Sequence, residues 1–294
     1  MADSAVPEIL RRRTGEKPAR RLRKGMYILP SLFTCANIAA GYYALVQTTQ
    51  GTPETPWHFD LAAKAIGFAV MFDSLDGAVA RATNTSSDFG RELDSLADVI
   101  TFGVAPSMLA FFWGFHFLPS MTIPLTRAHL GAIGMIASFL FLIAGASRLA
   151  RFNIQVNPEP SNPGRPGKKY FVGMPIPAAA GVLAAVVHFT SGDPVETWWK
   201  SILWCSLMVT CAFLMVSTWR FFSAKGIKVR SRHPFWVVVV VAVMIALAWE
   251  LSRPFLLVLA LTYMFSGILW RLQWIFRRRG GSSQPPFQEV SQPS

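Results

Sequence analysis

The sequence predicts an all-α integral membrane protein with about eight transmembrane helices. Hydrophobic residues make up 52% of the 294 residues, charged residues only 15%, and the mean hydropathy is +0.37. A typical soluble domain carries about 25% charged residues. Because about 20 apolar residues cross a bilayer, the chain has room for a succession of such spans.

The individual spans are predicted from apolar runs that end at polar or basic loops. They cover residues 28–46, 59–80, 93–117, 130–152, 172–189, 199–221, 234–251 and 254–275. The remainder divides into a basic N-terminal tail (1–25), a basic loop (223–233) and a polar C-terminal tail (277–294). We expect no cleaved signal peptide, because residues 1–24 are polar and basic without an apolar core.

The distribution of positive charge predicts the orientation. Of the 28 Lys and Arg residues, all but four lie in the N-terminal tail, in alternate loops or at the C-terminal end; the four exceptions are Lys64, Arg127, Lys200 and Arg253. Cytoplasmic loops are enriched in Lys and Arg, so both termini are expected in the cytoplasm. A bacterial inner membrane is the expected location.

The formal net charge of +12 also raises the possibility of nucleic-acid binding. The basic residues alternate with the apolar spans, and no zinc-finger, helix-turn-helix or RNA-binding signature accompanies them. We therefore expect no nucleic-acid partner, and interpret the basic tail as a topology signal that attracts anionic membrane lipids.

Four aspartates lie in or beside two apolar segments, where acidic residues are costly: Asp73, Asp76, Asp94 and Asp98. The spacing of three in the first pair and four in the second puts each pair on one face of its own helix. If the polar stretch 82–90 folds the two helices back on each other, the four carboxylates converge and require a cation. Oxygen ligands without Cys or His indicate Mg²⁺ or Mn²⁺.

Small and basic residues flank these acids. Gly77, Ala80 and Gly90 leave space for a phosphate or nucleotide to approach a helix backbone, and Arg81 can meet an anionic ligand. Close helix packing through small residues is the alternative explanation for the first three.

These eight residues form the pattern D-x-x-D-G-x-x-A-R-x8-G-x-x-x-D-x-x-x-D, which resembles the signature of the CDP-alcohol phosphatidyltransferase family. The resemblance implies a membrane enzyme that transfers a phosphatidyl group from a CDP-linked lipid to an alcohol and releases CMP. It implies a six-helix core around two divalent ions, within residues 26–222, plus two additional C-terminal helices in 234–276. It further implies a homodimer, with Asp98 as general base as well as metal ligand.

Segments outside the signature are similar to the phosphatidylserine synthases of that family. They are LPSLFTCANIAAG (29–41), FGVAPS (102–107), SRLARFN (147–153) and VGMPIP (172–177). The similarity implies CDP-diacylglycerol and L-serine as substrates, and makes Thr34 and Asn37 candidate substrate-binding residues. Glycerol phosphate, inositol or another alcohol remains an alternative acceptor.

Further candidates come from the residues themselves. Arg148 and Arg151, three apart near a helix end, can present two cations to a lipid phosphate or a serine carboxylate, although topology markers show the same pattern. Pro106, and Pro175 with Pro177, are expected to interrupt regular helix.

Two other chemistries are disfavoured by the sequence. No Ser-His-Asp arrangement is evident from the sequence spacing, which argues against a covalent enzyme nucleophile. A cation-coupled transporter is a distant alternative, because intramembrane acids often serve transport. The absence of an inverted repeat argues against it.

Overall fold

The computed structural model describes residues 28–83, 88–119, 127–154, 170–222 and 250–279. The predicted N-terminal tail 1–25, residues 280–294 of the predicted C-terminal tail 277–294, the loop 223–233 and nearly all of the predicted span 234–251 lie outside these ranges. Residues 277–279 of that tail belong to the last described helix. The described helices are α1 Ile28–Gln50, α2 Trp57–Thr83, α3 Asp88–Asp98, α4 Ala105–Phe111, α5 Arg127–Ile154, α6 Ile176–Phe189, α7 Trp198–Val216 and α8 Ser252–Arg279.

Helices α3 and α4 belong to one continuous helical rod that contains two π-helical segments, Val99–Val104 and Phe112–His116. Pro106 lies in the first turn of α4, directly after the first π segment. The expected interruption of regular helix is therefore local: the hydrogen-bonding pattern changes to π geometry and the rod continues. Such π segments often occur at functional sites.

The described residues are predominantly helical, as predicted, and include one short two-stranded antiparallel ribbon. Strand β1 (Tyr170–Val172) pairs with β2 (Arg220–Phe222), and each strand overlaps one end of a predicted span. The span predicted at 172–189 consequently begins as helix only at Ile176, and the span predicted at 199–221 ends as helix at Val216. Apolar composition alone did not distinguish these strand residues from the adjoining helix.

The turn from β1 into α6 follows the two prolines. Pro175 is the N-cap of α6 and Pro177 lies within its first turn, where the missing N–H is tolerated. Gly173 has φ +75°, and its N–H donates to the carbonyl oxygen of Trp219 at 2.8 Å. The predicted interruption at this point is confirmed.

Four described helical segments are long and apolar enough to cross a membrane: Phe89–His116, Arg127–Ile154, Trp198–Val216 and Ser252–Phe276. Helix α6 is apolar but has only 14 residues, about 21 Å at 1.5 Å per residue. The protein is thus a predominantly helical membrane protein, and the total of eight spans stays a prediction.

The helices pack as a bundle in which α1 runs antiparallel to α2, α5 lies along α7 in the same direction, and α6 contacts both α2 and α8. One end of the bundle contains the two-stranded ribbon, and we call it the ribbon end. Helices α3 and α6 begin there, and α2, α5, α7 and α8 terminate there. The opposite end, where α2 and α8 begin and α6 terminates, is called the far end.

Candidate active site

Three of the four predicted aspartates converge toward the ribbon end. Asp73 lies on α2, whereas Asp94 and Asp98 lie one turn apart on α3. A carboxylate oxygen from each lies within 4.8 Å of the other two. Asp98 is buried and the other two are half-buried. The side chain of Asp76, three residues after Asp73 on α2, is outside the described part.

The donor set fits a divalent cation. Three carboxylates at this separation repel one another, and a positive ion among them relieves the repulsion. The group consists only of oxygen donors, which Mg²⁺ and Mn²⁺ prefer. Opposite ligands of Mg²⁺ lie about 4.2 Å apart, close to the spread of these oxygens. The observed arrangement therefore suits a metal site.

The first π segment begins directly after Asp98 and packs against α1. The hydroxyl of Thr101 donates to the backbone carbonyl of Asn37 at 3.0 Å. Gly41 lies so close that a Cβ there would come 2.5 Å from Thr101 Oγ1 and 2.9 Å from its Cα. This contact fixes α1 one helical turn from Asp98.

The two candidate substrate-binding residues on α1 are both buried. Thr34 and Asn37 are 4% and 2% exposed. The side-chain oxygen Oδ1 of Asn37 is buried without a hydrogen-bond partner among the described residues. An unsatisfied buried polar atom is costly in a folded protein and calls for a ligand or other explanation. Asn37 thus stays a candidate on physical grounds.

Arg148 provides a buried positive charge beside the acidic cluster. It lies on α5, is only 7% exposed, and interacts electrostatically with Asp98. Its guanidinium carbon is 6.0 Å from the centre of the Phe152 ring. Its Nε has no hydrogen-bond partner among the residues described. A buried guanidinium with an unused donor is a candidate for binding an anionic group.

Arg151, one turn further along α5, has a different environment. It donates to the carbonyl oxygens of Val216 at 3.1 Å and Ser217 at 3.4 Å. These carbonyls lie at the C-terminal end of α7, where a positive charge is favourable. Arg151, three residues after Arg148, therefore stabilises the C-terminal end of α7.

The remaining predicted residues are described only in part. Gly77, Ala80 and Arg81 belong to α2, but the side chains of this stretch lie outside the described part. Gly90 is half-buried in the first turn of α3. Gly90 and Asp94 lie one turn apart, so Gly90 is on the face of α3 that carries the acids.

A second polar cluster, at the far end, was not predicted from the sequence. His188 Nδ1 lies 2.5 Å from Asp60 Oδ1, and His188 Nε2 lies 3.1 Å from Ser252 Oγ. Asp60 also forms an ion pair with Lys64, with 2.8 Å between Oδ2 and Nζ. A Ser-His-Asp arrangement thus exists in space, because α2, α6 and α8 bring together residues 128 and 64 positions apart. From the sequence, only the ion pair between Asp60 and Lys64 could have been predicted, because the two residues are four apart on one helix.

The CDP-alcohol phosphatidyltransferase family model matches residues 27–212, more than half of the chain. The chain belongs to the CDP-alcohol phosphatidyltransferase family. The matched region contains the three converging aspartates together with Arg148 and Asn37. The resemblance proposed from the aspartate pattern is therefore confirmed.

Individual members of the family extend the comparison. A CDP-diacylglycerol--serine O-phosphatidyltransferase of Helicobacter pylori is 35% identical over 258 residues, covering 85% of this chain and 92% of that protein. A protein of the same name from Mycobacterium leprae is 31% identical over 84% of this chain and 76% of its own length. One from Bacillus subtilis is 36% identical over 56% of this chain and 77% of its own.

Proposed function

We propose that this protein transfers the phosphatidyl group of CDP-diacylglycerol to the hydroxyl of L-serine, giving phosphatidylserine and CMP. The observation that carries the proposal is the convergence of three carboxylates, with oxygens within 4.8 Å of one another. Relatives named for this reaction, similar over most of the chain, support serine as the acceptor.

Asp73, Asp94 and Asp98, together with Asp76, would hold one or two Mg²⁺ or Mn²⁺ ions. A bound divalent ion supplies positive charge for the pyrophosphate and for the departing phosphate of CMP. Within this site the protein's own residues align the donor and the acceptor, a contribution that can amount to several kcal/mol of the barrier. Gly77, Ala80, Arg81 and Gly90 are proposed to contact the nucleotide and its phosphates.

Asp98 is proposed to take the proton from the serine hydroxyl. Its burial limits competing water, and its position one turn from Asp94 keeps it beside the reacting phosphate. The serine oxygen then forms a bond to the diacylglycerol-linked phosphorus as the bond from that phosphorus to CMP breaks. CMP leaves with its phosphate, and the proton stays on Asp98 until it passes to water.

Arg148 is proposed to bind the carboxylate of serine. It is buried, interacts electrostatically with Asp98, and has a donor at Nε that no described residue accepts. Arg151 is proposed to support it by holding the end of α7 in place, and its remaining donors can assist in binding the same anion. Thr34 and Asn37 would contribute polar contacts from α1.

We further propose that the ribbon end faces the cytoplasm of a bacterial cell, with the protein in the inner membrane as a homodimer and both termini cytoplasmic. The excess of Lys and Arg on the loops of that end supports this orientation. Cytoplasmic access would let CDP-diacylglycerol enter from the inner leaflet while serine arrives from water.

The experiment is an acceptor panel. Purified protein in detergent receives CDP-diacylglycerol, Mn²⁺ and one labelled alcohol at a time: L-serine, glycerol 3-phosphate or inositol. We expect CMP release and a labelled lipid with serine alone, and neither with the Asp94→Asn variant as the matched control. Product formed only with another alcohol would replace serine as the acceptor. Ion flux in proteoliposomes without CMP release would instead support a transporter.

A further inference from the structure

The side chain of Asn37 ends in a buried oxygen that is open to a ligand. Asn37 is 2% exposed, and no atom in the described part of the chain donates a hydrogen bond to its Oδ1. A buried acceptor without a donor is costly in a folded protein, so its retention indicates a group that arrives from outside the chain. An amide oxygen accepts hydrogen bonds, and the matching ligand group is therefore an N–H or O–H donor.

The orientation of Asn37 follows from the packing of α1 on the rod that contains α3. Both begin at the ribbon end, run in the same direction and contact each other. A Cβ at Gly41 would lie 2.9 Å from the Cα of Thr101, so this face of α1 meets the rod at Thr101. Asn37 lies one turn before Gly41 on the same face, and Asp98 lies one turn before Thr101. The Asn37 side chain is therefore directed at the turn of the rod that carries Asp98.

Two further observations concern that turn. The Thr101 hydroxyl is fully buried and donates to the backbone carbonyl of Asn37 at 3.0 Å, which holds the backbone of α1 against the rod. Ala97, four residues before Thr101, is also fully buried and has no polar side-chain atom that could meet Oδ1. The backbone of Asn37 is thus fixed by the rod, while its side-chain oxygen is left for another group.

The surroundings of this oxygen favour a positively charged donor. Asp98 belongs to the cluster of three carboxylates, and nearby negative charge lowers the cost of bringing a cation into a buried site. A hydrogen bond from an ionised donor is roughly twice as strong as one between neutral groups. In L-serine the ammonium is attached to the carbon next to the one that carries the hydroxyl. A hydroxyl at Asp98 therefore brings the ammonium into the same turn.

We propose that Asn37 selects the acceptor by its amino group: Oδ1 accepts a hydrogen bond from the ammonium of L-serine while the serine hydroxyl lies at Asp98. An acceptor without an amino group leaves this oxygen buried and unpaired, and such a penalty is a strong source of specificity. The inference deepens the proposed function and rests on it, because it takes the acceptor to react beside Asp98.

The test compares L-serine with 3-hydroxypropionate, which keeps the hydroxyl and the carboxylate but lacks the amino group. Wild type should prefer L-serine by about 100-fold or more in kcat/KM. In Asn37→Leu, which removes the oxygen and keeps a similar size, this preference should fall about tenfold or more. The KM for CDP-diacylglycerol should stay within about threefold of wild type. Each preference is a ratio within one protein, so a partial loss of folded enzyme cancels.

Two companion variants complete the experiment. Asn37→Asp keeps an oxygen acceptor and removes the amide donors, so it should retain the preference for L-serine. Gln47→Met removes an amide from the other half of α1, where Oε1 lies 2.6 Å from His58 Nδ1, and should behave as wild type.

Three results would overturn the proposal: an unchanged preference in Asn37→Leu, a preference lost in Asn37→Asp, or a wild type that uses both acceptors equally well. The last two need no Asn37→Leu protein, so they decide even if that variant does not fold.

The outcome for the proposed function is read separately from wild type. If wild type uses L-serine and Asn37→Leu keeps the full preference, this inference alone fails. If wild type uses ethanolamine instead, the serine assignment fails, and a reduced preference for ethanolamine over ethylene glycol in Asn37→Leu would still support the role of Asn37. If wild type uses only alcohols without an amino group, both proposals are overturned.

Discussion

Helix α2 carries one acid toward each end, and the two acids have contrasting surroundings. Asp60, at the far end, contacts Lys64 and His188, and His188 in turn contacts Ser252. Asp73, about 20 Å further along the same helix by the rise of 1.5 Å per residue, lies instead against Asp94 and Asp98. Asp60 is thus paired with basic side chains, whereas Asp73 lies within 4.8 Å of two other acids.

This difference indicates two roles for the same residue type. A carboxylate that is paired within the chain stabilises the packing of the elements that supply its partners, here α2, α6 and α8. Carboxylates that converge on one another destabilise the fold unless a cation joins them, and such sites are retained for function. The contrast predicts opposite results from the same substitution at the two ends.

The largest expected effect is on turnover at the ribbon end. Asp94→Asn removes a charge that a divalent ion needs, and loss of several kcal/mol of transition-state stabilisation corresponds to a fall in kcat/KM of about 100-fold or more. Asp60→Asn should keep kcat/KM within about threefold. The measurement is CMP release from equal amounts of folded, detergent-purified protein.

Thermal unfolding gives an independent measure of the same site. Millimolar Mn²⁺ should raise the melting temperature of wild type and of Asp60→Asn by several degrees, because a bound ion stabilises the folded state. The Asp94→Asn protein should show little or no rise. Near-normal turnover in Asp94→Asn, together with an undiminished response to Mn²⁺, would remove the metal assignment.

The second effect is on stability at the far end. Asp60→Asn leaves His188 and Lys64 without their acidic partner and should lower the free energy of unfolding by about 1–3 kcal/mol. Asp94→Asn, assayed without divalent ions, should be as stable as wild type or more stable, because it relieves repulsion. Unfolding in denaturant, followed by tryptophan fluorescence, compares the two variants directly. A destabilised Asp94→Asn beside an unaffected Asp60→Asn would reverse the assignment of roles.

The smallest effect tests how closely the ribbon-end site depends on its packing. Gly41→Ala would drive a Cβ against the backbone of Thr101, three residues after Asp98, so we expect a loss of about 1–3 kcal/mol in stability and about tenfold in kcat/KM. Gly67→Ala is the matched control on α2, since no described atom lies within 4 Å of the position that its Cβ would take. An equal response in both variants would show that the α1 contact does not position Asp98.

The sequence alone determined the membrane class, the family and the acidic cluster. Apolar runs and the spacing of Asp73, Asp94 and Asp98 are local patterns, and local patterns follow directly from helix periodicity. The eight-residue signature covers 26 positions of continuous chain, so it needed no knowledge of tertiary contacts. The roles of individual site residues stay predictions.

Tertiary structure alone decided the features built from distant parts of the chain. The pairing of β1 with β2, the contact of His188 with Asp60 and Ser252, and the hydrogen bond from Tyr263 to Phe222 each join residues separated by dozens of positions. Sequence periodicity reports which face of a helix is apolar, but not which neighbour that face meets. Hence the paired acid at the far end could be distinguished from the converging acids at the ribbon end only after α2, α3, α6 and α8 had been placed together.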